Sequence, residues 1–144
     1  MEQATWESLY STPNCLLDMP SATGPGELFL LGELARDADV TVITSWPSRY
    51  TPSVVWQTRA WMQKGGLEHL GLLCTSDKAR AAQALELTHF IDDYQGFVTQ
   101  VLDGAPACKS FVLTRPYNTA FRDDRAIRVE TVGQFIETVR RDLP

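Results

Sequence analysis

The stretch Leu85-Glu-Leu-Thr-His-Phe-Ile-Asp-Asp93, read with Lys78 one helix-length upstream, decides how this chain is interpreted. It is an apolar run ending in two adjacent carboxylates. The Ala-rich segment before it reads as a helix from Lys78 to about Leu87, leading into a strand over 89–91. In an open α/β sheet, ligands bind outside the carboxyl ends of the strands. Two acids at such an end are a candidate magnesium site, because hard oxygens suit that ion. An ammonium at the start of the preceding helix is a candidate phosphate partner. Each feature alone has a plainer explanation: an Asp pair after a strand usually caps a loop, and a single lysine is usually solvated. Their order and spacing together are more specific than either one.

Working back from this stretch, Thr75-Ser-Asp77 supplies helix-capping side chains. Leu70-Gly-Leu-Leu-Cys74 is an apolar segment, with Cys74 read as core, and Gly65-Gly66 stops a helix over about 53–64. Trp46-Pro-Ser-Arg-Tyr-Thr-Pro52 is a loop, kept out of helix by its two prolines. Val40-Thr-Val-Ile43 is a β-branched run that reads as a buried strand and ends at Thr44-Ser45. Asp37-Ala-Asp39 is a turn, and Leu28, Leu31, Leu34 and Ala35 recur at helical spacing over 27–36. Residues 1–23 are irregular.

Working forward, 94–102 reads as a helix and Ser110-Phe-Val-Leu113 as a strand. Arg115-Pro-Tyr-Asn118 follows, then Ile127-Arg-Val129. A last helix carries Val132, Phe135, Ile136 and Val139 on one face and ends near Leu143. Alternating strands and helices give an α/β fold: a three-layer, Rossmann-like parallel sheet with helices on both faces, organised as one domain over 1–144.

Composition narrows the function classes. A net charge of −5 over 144 residues argues against a nucleic-acid polymer as ligand, since such binders show a basic face. A single nucleotide or a basic protein partner remains compatible. Cys15, Cys74 and Cys108 are odd in number and widely spaced, which is neither a disulfide framework nor a zinc pattern and implies a reducing, cytoplasmic setting. His69 and His89 stand alone. No apolar run is long enough to span a membrane. Thr44 and Ser45 at a strand end offer hydroxyls to a phosphate, and Trp46, Arg49 and Tyr50 in the adjoining loop are candidate ligand contacts. Trp56 and Trp61 are assigned to the core by the helix that carries them.

Three segments carry a family resemblance: Val40-Thr-Val-Ile-Thr-Ser45, Cys74-Thr-Ser-Asp-Lys78 and Thr88-His-Phe-Ile-Asp-Asp93. In order and spacing they resemble the second, third and fourth motifs of the haloacid dehalogenase (HAD) superfamily, most closely its 5′(3′)-deoxyribonucleotidase branch. Ser110-Phe-Val-Leu-Thr-Arg-Pro-Tyr-Asn118 and Ile127-Arg-Val-Glu130 also match that branch, and the likeness covers roughly residues 20–140. It implies a HAD-like domain with little or no cap. It also implies that Thr44 and Ser45 hold a phosphate, that Lys78 neutralises it, and that Asp92 and Asp93 bind Mg2+. The ligand would be a nucleoside monophosphate or another small phosphate ester.

The resemblance departs from the family at the first motif, an Asp-x-Asp that supplies nucleophile and general acid. Two readings stay open. In one, Cys15-Leu-Leu-Asp18 is a shortened central strand with Asp18 as nucleophile and Pro20 in place of the acid. In the other, which is preferred, Trp6 to Ala22 resembles the stretch after the family's small cap, and the catalytic strand is absent. Proline donates no proton, so phosphatase activity is expected to be weak or lost. An active Mg-dependent nucleotidase using Asp18 is the first alternative. The second is a non-catalytic interaction module, in which an exposed sheet edge pairs with a protein partner or a second copy.

Overall fold

The structure is a computed structural model, and it describes residues 21, 23–45 and 54–144. The expected site residues Asp18, Trp46, Arg49 and Tyr50 lie outside the described residues. The elements run α1 (Pro25–Leu34), β1 (Thr41–Thr44), α2 (Val54–Lys64), β2 (Gly71–Cys74), α3 (Lys78–Ala84), β3 (His89–Asp92), α4 (Gln95–Gly104), β4 (Lys109–Leu113), β5 (Ile127–Val129) and α5 (Val132–Asp142). The protein is α/β, with parallel strands in two small sheets, β1–β2 and β3–β4–β5. It divides into two compact units, one up to Ser76 and one from Asp77 onward.

In the first unit, Met62, Leu67 and Leu70 form the buried centre, with Leu28, Leu31, Ala35, Val40, Val42, Trp61 and Leu72 packed against it. Helix α2 buries Val54, Thr58 and Met62, a stripe at i, i+4 and i+8. Trp56 falls off that stripe and is 57% exposed, which corrects its assignment to the core. Helix α2 stops where Gly66 takes a φ of 73°, the left-handed conformation that glycine adopts without steric cost. Cys74 is half-buried rather than fully in the core.

In the second unit, β4 is the middle strand, and its residues from Ser110 to Leu113 are all buried. Alternate side chains of a strand face opposite ways. Val112 joins Ala82, Phe90, Val98, Val101, Leu102 and Cys108, supplied mainly by α3 and α4. Phe111 instead meets Phe135 of α5 edge to face, with ring centroids 5.1 Å apart. Burial also pushes the Cys108 thiol up to about 11, so it behaves as a small apolar side chain. Gly104 lets α4 approach α3 closely: a Cβ there would lie 2.6 Å from the Cβ of Ala79.

Two boundaries differ from expectation. The helix that opens at Lys78 stops short of its expected end near Leu87, while the strand begins at His89 as expected. Helix α3 ends at Ala84, Glu86 turns through a left-handed φ of 49°, and strand pairing starts at His89. Strands and helices also fail to alternate between β4 and β5, whose parallel connection over 114–126 is built of turns. Arg128 organises that connection. Its guanidinium donates to the carbonyls of Asn118 and Phe121 and to the side-chain oxygens of Asn118 and Thr114, at 3.0–3.3 Å.

Candidate functional site

The candidate site lies at the carboxyl end of β3 in the second unit. Asp77 caps α3 by accepting the Arg80 N–H at 3.0 Å, which fixes Lys78 as the first helical residue. Lys78 is 1% exposed, an unusual setting for an ammonium group. Its Nζ sits 5.1 Å from the centroid of the Phe97 ring, within cation–π range. Its backbone N–H donates to Gln100 Oε1 at 3.4 Å.

Strand β3 delivers Asp92 as its last residue, with Asp93 next. Asp92 Oδ1 accepts the Tyr94 N–H at 2.8 Å, which turns the chain into α4. Burial pushes the Asp92 carboxyl up to about 6, and the neighbouring Asp93 adds to the rise. The Tyr94 N–H and the positive charge of Lys78 oppose it. Lys78, Asp92 and Asp93 are therefore one electrostatic cluster, brought together by a helix start and a strand end.

Asp93 is held from a different loop. The Tyr117 hydroxyl donates to Asp93 Oδ2, and Asn118 Nδ2 donates to the Asp93 carbonyl at 2.8 Å. Removal of the Tyr117 hydroxyl from water, together with Asp93, raises that phenol to about 12, so it stays a donor. Asn118 is 1% exposed and uses both ends of its amide. Nδ2 also donates to the Leu113 carbonyl at 2.8 Å, and Oδ1 accepts the Arg115 N–H at 3.0 Å. The sequence reading missed both roles. The only signal was the position of Arg115-Pro-Tyr-Asn118, directly after a strand.

Thr44 and Ser45 are in the first unit. Thr44 ends β1, and its carbonyl accepts the Thr75 N–H at 2.8 Å.

The carboxylate pair offers the hard oxygen donors that magnesium prefers. Asp93 lies close enough to Asp92 to help raise its carboxyl, so two carboxylates converge at this strand end. Magnesium is commonly held by one or two carboxylates, with water and phosphate oxygens completing its shell. The pair fits that minimal donor set. Among the described residues, no cage of three or more His, Cys, Asp and Glu side chains is present. No helix among them is long and apolar enough to cross a membrane. In comparison with known proteins, no family model matches the chain and no curated protein matches it.

Proposed function

We propose that the chain is a HAD-like domain related to the 5′(3′)-deoxyribonucleotidases, with the three-layer Rossmann-like sheet this implies. In this reading it binds a nucleotide or another phosphate monoester and hydrolyses it weakly or not at all. One observation carries the reading: a buried lysine at a helix start shares an electrostatic cluster with two adjacent carboxylates at a strand end. Phosphate oxygens are strong charge-assisted acceptors for an ammonium group, so an anionic ligand at this strand end would join the cluster that Lys78 already shares with Asp92. Asp92 and Asp93 would hold Mg2+, which when bound offsets phosphate charge. Thr44 and Ser45 have a phosphate role on their sequence motif alone, and weak turnover follows from the missing Asp-x-Asp.

The test is binding without turnover. Thermal unfolding of the full chain with dTMP and Mg2+ should show a rise in melting temperature, while phosphate release stays near background. Lys78→Met, which keeps the side-chain volume, should weaken dTMP binding at least about tenfold, the equivalent of about 1.4 kcal/mol. An unchanged affinity in that variant would remove the site. Rapid Mg-dependent phosphate release, abolished by Asp18→Asn, would instead establish the active nucleotidase.

A further inference from the structure

We infer that Tyr117 is a positioning residue for the acid pair, orienting Asp93 through its phenol hydrogen bond so that the carboxylate presents its other oxygen to a hard cation. This rests on the magnesium role proposed for Asp92 and Asp93. The segment after β4 grips Asp93 twice, at the backbone through Asn118 and at the carboxylate through Tyr117. The two contacts do different work. Asn118 is buried and joins the ends of β3 and β4, so its contribution is to the fold. Tyr117 is 66% exposed as a residue, so core packing does not explain why its hydroxyl is on Asp93.

Fixing an exposed side chain costs rotamer entropy, and this ring recovers little of that cost through apolar burial. What the arrangement secures is the orientation of a carboxylate that would otherwise rotate about its last bond. Carboxylates that bind metals are commonly held by such outer hydrogen bonds, and losing one costs roughly 10–100-fold in metal affinity.

Tyr117→Phe tests this, because it removes the hydroxyl and keeps the ring. Calorimetric titration of the full chain with Mg2+ alone should give a dissociation constant at least about tenfold weaker than wild type. The urea midpoint of the variant should stay at the wild-type value, which a purely structural role would not allow. If wild type binds Mg2+ and Tyr117→Phe binds it equally well, the positioning role is wrong and the acid-pair site survives. A variant destabilised as strongly as one at Asn118 also overturns the inference, since Tyr117 would then be a structural clamp. A wild type that takes up no Mg2+ removes the metal site itself, and this inference with it.

Discussion

The two ends of β3 treat charge in opposite ways. At its start, His89 Nε2 and Lys109 Nζ both meet Asp142 Oδ2, at 3.0 and 2.7 Å. The Lys109 contact first, and then His89, hold the Asp142 carboxyl down at about 2. At its end, a short strand away, Asp92 is placed beside another acid and partly out of water, and its carboxyl rises to about 6. One edge lowers the energy of its charges and the other keeps them at a cost. Perturbed acids of the second kind concentrate at functional sites, because structural ion pairs rarely need like charges together. The contrast is what draws the proposed site to the carboxyl edge, while the opposite edge ties α5 to the sheet.

The costly edge needs a frame, and Asn118 provides it. Asn118→Ala should give the largest effect of any single change here, a loss of roughly 2–4 kcal/mol in urea unfolding. It would leave the carbonyls of Asp93 and Leu113 and the Arg115 N–H without their partner. A cost below about 1 kcal/mol would mean that water replaces the amide at this position. The frame would then be weaker than the geometry implies.

Asp92→Asn sharpens the comparison with the opposite sign. The folded pKa of Asp92 lies above its ordinary value of 3.8, at about 6. Its stabilising protonation is complete below pH 4 and is lost as pH rises through about 6. Asparagine keeps the acceptor for the Tyr94 N–H and carries no charge. The variant should therefore be more stable than wild type at pH 7.5, by about 1–2 kcal/mol, with the gain vanishing near pH 4. Unfolding free energies across that range decide it. A variant less stable than wild type at pH 7.5 would show that attraction to Lys78 outweighs the cost of burial.

How much of this was legible follows from where the signals sit. β5 matches its expected bounds because a β-branched pair brackets it, and β1 and β2 fall within a residue of the apolar runs that announced them. The end of α3 did not, because Leu85-Glu-Leu87 continues helix-favouring residues. Its stop depends on Leu87 turning inward onto the Ala82, Phe90 and Val98 cluster. Lys78, Asp92 and Asp93 were readable because charge at element ends is conspicuous. Asn118 was not, since its role is defined by backbone groups as far off as Asp93, and no local pattern encodes that separation. Trp56 misled because membership of a core-packed helix suggests burial, whereas its phase on that helix sets it off the Val54, Thr58 and Met62 stripe.

The smallest effect is expected at the opposite edge. Asp142→Asn removes a carboxylate whose folded pKa, about 2, lies below its ordinary 3.8. The stability it contributes is fully present above about pH 4 and is lost as pH falls through 2. The variant should melt slightly below wild type at pH 7, and the two curves should converge between pH 4 and pH 2. Because Lys109 is 54% exposed, the pair is screened, and the difference should also shrink in about 1 M salt. A double-mutant cycle with Lys109→Ala isolates the attraction from any packing loss. If the Asp142→Asn deficit persisted unchanged at pH 2 and in high salt, α5 would be tied to the sheet by packing rather than charge. The two ends of β3 would then differ in what they cost, but not in how they use electrostatics.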